Sequence, residues 1–284
     1  MIEERPSDSP GPGEKRLVIL TADGLEHHYV TNRLCHEFQI SAILVEKGRK
    51  ADLKKRLRRY PPAILVSKAL RLLFLKATGD KKKARMASLR VFGEDDCNRF
   101  HNENLVRRVP GINSPQALSF LKESRPDAIL VYGCGIVRDK VLSLAHDLAF
   151  NMHTGISPYY RGTACAFWPI VNGEPHRLGA TVHECTSVVD GGRIFGTRQA
   201  RLEADDGIHE AFARCVVVGS ELYNDTIRRY LDGTLEGKAQ DFSLGKEYRA
   251  AMRTLSAEMK ARRNIRRGLI RRYCRETQRK AVTE

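Results

Sequence analysis

The stretch that decides the fold is Arg16-Leu-Val-Ile-Leu-Thr-Ala-Asp-Gly24, followed by Leu25–Phe38 and by Ile40-Ser-Ala-Ile-Leu-Val-Glu46. Leu17–Leu20 is an unbroken apolar run, the pattern of a strand covered on both faces. Gly24 marks a turn, Leu25–Phe38 reads as a helix, and Ile40–Glu46 returns to strand composition. Strand, glycine-containing turn, helix and strand in that order give a right-handed βαβ unit, and so an α/β domain on a mostly parallel sheet.

The same grammar continues downstream. Ser114 caps a helix over 114–124, Arg125-Pro-Asp127 leads into a strand at Ala128–Tyr132, and Gly133-Cys-Gly135 makes the next turn. A helix is expected at Val137–Ala145, a strand at Leu148–His153, and a helix from near Ala164 through Trp168–Asn172. Strands follow at Leu178–Cys185 and Arg193–Leu202, then a long helix over Asp205–Leu231, stopped by Asp232-Gly233. Residues 1–14 read as a disordered leader, 15–204 as the catalytic domain, and 205–284 as a helical basic extension.

Charge divides the chain differently. It has 284 residues with a formal net charge of +15. The block 47–90 holds about 16 Lys and Arg against two acidic residues, and Gly245 to the end about 13 against four. Without these two blocks the remainder is net acidic. The first is expected to be an inserted helical segment broken at Pro61-Pro62, the second a helical stretch with a basic face. Such charge suits an anionic surface, RNA or membrane, or a phosphate-bearing small molecule. The C-terminal helices also suggest a homodimer.

Seven cysteines, with no C-x-x-C pair, read as free thiols in a reducing compartment. The N-terminus lacks the apolar core of a signal peptide, and no apolar run reaches membrane-spanning length. A cytoplasmic protein is expected.

The chemistry gathers in Asn151-Met-His153-Thr-Gly-Ile-Ser157-Pro-Tyr159-Tyr160-Arg161-Gly162 and in Asp190-Gly-Gly192. Asn151 and His153, two apart on a strand, share a face, at the sheet edge where open α/β sheets bind ligands. The bland reading is a bonded structural Asn and a core His; the adjoining aromatic loop and the glycines after Asp190 favour a site. His27, His28, His36, His153, His183 and Cys185 lack zinc spacing, so no metal is expected. No cysteine has the setting of a nucleophile.

Taken together, these motifs resemble the 10-formyltetrahydrofolate-dependent formyltransferase family. The likeness rests on Asn151-Met-His153, Ser157-Pro-Tyr-Tyr-Arg161-Gly162, Trp168-Pro-Ile-Val-Asn172-Gly173, Gly179-Ala-Thr-Val-His183 and Asp190-Gly-Gly192, in that order. It covers about Arg16 to Glu203, with the 47–90 block as a departure. It implies a Rossmann-like formyltransferase fold with Asn151, His153 and Asp190 as the catalytic residues of an N-formyltransferase. Asn151 and a charged His153 would donate to the formyl oxygen as an amine attacks directly through a tetrahedral intermediate, and Asp190 would orient His153.

The co-substrate 10-formyltetrahydrofolate would lie against Tyr132, Gly133, Gly135 and Ile136 and against the loop reaching Val189 and Asp190. Ser157, Tyr159, Tyr160 and Arg161 would form the acceptor loop. Arg161 has two readings, a phosphate partner or a loop support. His183 reads as a structural partner in its strand and Trp168 as core.

The resemblance implies a primary-amine acceptor, expected to be a small, phosphate-bearing molecule. Thr21-Ala-Asp-Gly-Leu-Glu26 makes a poor phosphate cradle, unlike that of glycinamide ribonucleotide formyltransferases. The chain after Leu202 does not read as the C-terminal β-barrel of methionyl-tRNA formyltransferases. A formyltetrahydrofolate hydrolase would carry a longer N-terminal part. The favoured acceptor is a nucleotide-linked deoxy amino sugar. The alternatives are a methionyl-tRNA formyltransferase-like enzyme, or an RNA- or membrane-surface binding module on the same scaffold.

Overall fold

The computed structural model describes residues 15–48 and 61–283. The expected leader at 1–14 and the part of the basic block at 49–60 lie outside the described residues. A seven-stranded sheet forms the centre, in the order β3-β2-β1-β4-β5-β7-β8. Its members are β1 (Leu17–Thr21), β2 (Ile40–Glu46), β3 (Val106–Val109), β4 (Ala128–Tyr132), β5 (Leu148–His153), β7 (Gly179–Glu184) and β8 (Ile194–Gln199). The first five in this order are parallel; β7 runs antiparallel to β5, and β8 antiparallel to β7.

Strand alternation sends side chains to two layers. Leu17, Ile19, Ile43 and Leu130 pack with α1 (Leu25–Glu37), α3 (Asp80–Phe92) and the long α8 (Ile208–Leu231). Val18, Leu20, Leu44 and Ile129 face the other way, onto α5 (Pro115–Ser124) and α6 (Asp139–Leu142). Ser114 caps α5, its side chain accepting from the Ala117 N–H at 3.3 Å. Tyr223 of α8 is fully buried, and its hydroxyl reaches the carbonyls of Val131 and Phe150 at 3.3 and 3.2 Å, locking the helix under β4 and β5.

A third apolar cluster joins α7 (Trp168–Asn172), α8, α9 (Leu255–Arg266) and α10 (Leu269–Thr283) through Trp168, Val218, Ala261 and Ile270. The basic block does contain helices: α2 (Pro62–Ala77) and α3, followed by the short α4 (Glu94–Cys97).

Three expectations need correction, and one strand was not expected. The helix read over Val137–Ala145 is only the four-residue α6, because Arg138 is extended and Ser143 closes the turn. The long helix starts at Ile208, with Gly207 as its cap, since Asp206 is spent on the Glu203 N–H and Arg214. The stretch from Gly245 is not helical at its start. Lys246–Tyr248 forms β9, paired in parallel with β6 (Tyr160–Gly162). Edge strand β3 was not foreseen at all.

Candidate active site

The carboxyl ends of β1, β4 and β5 open on one edge of the sheet, where ligands bind in open α/β folds. Asn151 and His153 emerge there on a shared face. The antiparallel partner β7 sets His183 opposite Asn151 and Thr181 opposite His153. Four polar side chains thus line one face of two strands. Asp190 completes the group from the loop between β7 and β8.

Asp190 stands between the two imidazoles. Its Oδ2 lies 3.5 Å from His153 Nδ1 and its Oδ1 3.4 Å from His183 Nε2. The Gly162 N–H donates to Oδ2 at 2.7 Å. Asp190 adopts a left-handed backbone, φ 49°. Gln240 holds that turn, its Nε2 donating to the carbonyls of Asp190 at 2.8 Å and Gly192 at 2.6 Å. Burial alone would raise the Asp190 carboxyl. The pull of His153 and His183 and the Gly162 N–H outweigh it and hold the group well below the usual carboxylate range.

His183 Nδ1–H donates to the Glu184 carbonyl at 2.8 Å, and Nε2 lies 3.1 Å from the Asn151 amide nitrogen and 3.4 Å from Asp190 Oδ1. One amide N–H of Asn151 is thereby fixed and the other is left for a ligand. His183 is therefore a member of the cluster as well as of its strand. The signal for it lay in the two-residue alternation of Thr181 and His183, which becomes informative only once β7 is paired with β5.

His153 Nε2 lies 3.2 Å from the Tyr160 carbonyl, so each ring nitrogen faces an acceptor. Burial lowers the His153 pKa below its ordinary 6.5, and the attraction of Asp190 only partly offsets this. Burial and the carboxylate thus pull the proton affinity of this ring in opposite directions.

Thr181 fixes the loop after β5. Its hydroxyl donates to the Gly155 carbonyl at 2.7 Å and accepts from the Ser157 N–H at 2.9 Å. Ser157 is buried, with its Oγ unpartnered. Tyr159 is half-buried under the Arg177 guanidinium at 3.8 Å. Tyr160 points away from the cluster. It donates to Glu174 at 2.5 Å, accepts from Asn172 at 2.9 Å, and stacks on Tyr248, so its side chain supports the loop and does not line it. Arg161 lies 4.4 Å over Phe242, its Nε buried and unpartnered.

Strand β9 closes the far side. The Tyr248 carbonyl accepts from the Thr163 N–H at 2.7 Å, and its ring stacks on buried Trp168 at 4.6 Å. Gly162 has φ 91°, and a Cβ there would stand 2.3 Å from the Tyr248 carbonyl oxygen, so no larger residue fits. Sequence reading missed Gln240, Phe242 and Tyr248, which belong to no motif and reach the cluster by tertiary return of the chain.

On the other side lies the loop after β4. Tyr132 is buried against His27, and its carbonyl accepts from Thr21 at 3.0 Å, so its side chain is core. Gly133 has φ 66° and lies directly under the His27 ring. Gly135 N–H donates to Glu46 at 2.7 Å, while Asn113 donates to the Ile136 carbonyl and accepts from the Arg138 N–H. Pinned in this way, the loop turns the Ile136 side chain out to solvent. Val188 and Val189 are likewise exposed on the loop that carries Asp190.

Among the described residues, the one cluster with metal-ligand spacing is Glu203, Asp205 and Asp206, whose carboxylates already face Arg90 and Arg214. Burial pushes the Cys185 thiol up to about 12 and raises Cys165 well above its ordinary value, so neither is an activated nucleophile.

Comparison with known proteins places the chain in a family. A family model described as Formyl transferase matches residues 15–227. Over 139 residues the chain is 30% identical to a methionyl-tRNA formyltransferase of Chlorobium chlorochromatii; the match takes in 49% of this chain and 44% of that protein. The chain thus spans less than half the length of this curated relative. Among solved structures, a sugar N-formyltransferase from Shewanella sp. superposes with a TM-score of 0.54 at 14% identity, covering 88% of this chain and 87% of the other. Glycinamide ribonucleotide transformylase 1 from Symbiobacterium toebii gives 0.52 at 16% identity, covering 81% and 96%. At these identities the structural likeness speaks for the fold.

Proposed function

Since the chain belongs to the formyl transferase family, we propose that it transfers a formyl group from 10-formyltetrahydrofolate to a primary amine on a nucleotide-linked deoxy amino sugar. The observation that carries the catalytic reading is the position of Asp190, within 3.5 Å of both imidazoles and on the side of the strands that bears Asn151. The folate fits the residues present. Ile136 on the loop after β4, and Val188 and Val189 on the loop that carries Asp190, are large apolar side chains left in water and suit the faces of a flat heteroaromatic ring. The bound folate supplies the activated formyl carbon.

The chain's own residues do the rest. The free amide N–H of Asn151 donates to the formyl oxygen as charge develops there, a contribution that typically spans about a hundredfold or more in rate. His153 takes the proton of the incoming amine as it adds to the formyl carbon and gives a proton to the donor nitrogen as its bond to that carbon breaks. The positive charge that arises on the ring is stabilised by Asp190, which lies 3.5 Å from Nδ1. The cation is needed during the reaction, not before it, so a lowered resting pKa suits the task. His183 and Gln240 position Asn151 and Asp190.

The sugar reading of the acceptor is supported by the return of Gln240–Tyr248 over the loop that carries Arg161. Arg161 and Phe242 stand there together, a cation and a ring suited to a phosphate and a base or sugar face. A second reading, an aminoacyl-tRNA acceptor, is favoured by the 30% identity to a methionyl-tRNA formyltransferase.

The test is direct. Purified protein is incubated with 10-formyltetrahydrofolate and, separately, with nucleotide-linked 3-amino and 4-amino deoxysugars and with methionyl initiator tRNA. Tetrahydrofolate release with a sugar nucleotide supports the first reading. Release only with tRNA replaces it with the second, and release with neither overturns both.

A further inference from the structure

Helix α2 has no buried residue, although it lies against the body of the protein. Its inner half is anchored. Arg71 donates to Glu258 at 2.7 Å, a carboxylate buried in α9 and shared with Arg253. Phe74 sits 5.1 Å from the Arg262 guanidinium. The outer half is different. Val66, Leu70 and Leu73, at helical spacing, and neighbouring Leu72 are 58, 50, 64 and 60% exposed, with Lys76 as the cation among them. Roughly half the circumference of a 16-residue helix is thus apolar and turned to water. A patch of this kind marks an interaction site.

The surroundings say what would cover it. On the flank of α2 a cavity of about 930 Å³ opens between Phe74, Ile208 and Met259, and Lys83, Lys260, Arg263 and Arg266 surround it. Among the described residues no carboxylate pairs with these four. The sequence just before α2, Arg49 to Tyr60, is mostly Lys and Arg. The partner must therefore offer both apolar matter and dense negative charge. A second copy of the chain brings another +15 against the same cations. Nucleic acid would match the charge but leave Val66, Leu70, Leu72 and Leu73 in water.

We propose that α2 is a peripheral membrane anchor. Its apolar face enters the interfacial layer of an anionic bilayer, and the flanking Lys and Arg pair with lipid phosphates. No helix among the described residues is long and apolar enough to cross a membrane, so the helix lies in the plane of the surface. This inference stands on a different face of the molecule from the formyl-transfer reading, and its test needs no turnover.

The full-length protein is floated with vesicles of phosphatidylcholine alone and of phosphatidylcholine mixed with phosphatidylglycerol. The parent should float with the anionic vesicles only, less so as salt is added. Leu72→Glu/Leu73→Glu, which changes solvent-exposed positions, should lower the bound fraction at least about tenfold with an unchanged melting temperature. Absence of flotation with anionic vesicles overturns the proposal, as does equal flotation of the variant. So does a parent that fails to float but forms a dimer or retains RNA in a way the variant abolishes.

Discussion

Thr181→Val removes a hydroxyl while keeping the shape of the side chain. Thr181 is fully buried on β7, and its oxygen serves two backbone groups, donating to the Gly155 carbonyl at 2.7 Å and accepting the Ser157 N–H at 2.9 Å. Valine can do neither. Each stranded buried group costs about 1–3 kcal/mol, so the pair is expected to cost about 2–4 kcal/mol. For a protein of this size that is a fall in melting temperature of about 3–7 °C. The damage is not only global. Gly155 and Ser157 begin the loop whose Tyr160 carbonyl lies against His153 and whose Gly162 N–H holds Asp190, so turnover should fall as well. Urea titration with a fixed slope gives the stability change, and tetrahydrofolate release gives the rate. Thr181→Ser keeps the hydroxyl and loses one buried methyl, so it should cost about 1 kcal/mol and retain most of the activity. A valine variant as stable as the parent, or a serine variant as damaged as the valine, would refute the assignment of the loop's geometry to these two bonds.

Four further outcomes follow from the same contacts. His153 takes its proton below the 6.5 of an unfolded imidazole, so the unfolded chain binds more protons in the window beneath 6.5 and stability must fall as pH drops through it; the acid limb of kcat/KM should have its midpoint below 6.5, and a midpoint at or above that value contradicts the lowered pKa. Asp190 adds its stabilisation above the ordinary carboxylate value of 3.8 and loses it as pH falls below. Gly162→Ala forces a left-handed alanine against the Tyr248 carbonyl, at an expected cost of about 2–4 kcal/mol by chemical denaturation. Gln240→Leu strands the carbonyls of Asp190 and Gly192, and kcat should fall by about tenfold with KM little changed, given about 1–3 kcal/mol for the bonds lost; an unaltered kcat would show that the Asp190 turn holds itself.

The parts of this fold that could be read from the chain are those where local pattern and tertiary demand agree. Leu17–Leu20 and Ala128–Tyr132 are apolar because both sides of the sheet are covered, and Ser114 announces the helix it caps. Asn151 and His153 were legible because a strand's alternation alone puts them on one face. Strand β3 was not, since Val106-Arg-Arg-Val109 buries only its two ends and carries no apolar run. Lys246–Tyr248 lies in a basic stretch with a helical stripe downstream, and only pairing with Tyr160–Gly162 makes it a strand. The direction in which the His153 pKa moves was not legible for a related reason: burial sets it, and burial belongs to the packed molecule. His183 and Gln240 act at the cluster through register and chain return, which no short motif encodes.

The central claim is that Asn151, His153 and Asp190 act together on one formyl group. It is met most directly by comparing His153→Ala with the parent protein in tetrahydrofolate release, at saturating 10-formyltetrahydrofolate and sugar nucleotide, alongside their melting curves. A rate lower by about a hundredfold or more, with the fold retained, is the expected result. A folded variant that releases tetrahydrofolate as fast as the parent would contradict the account.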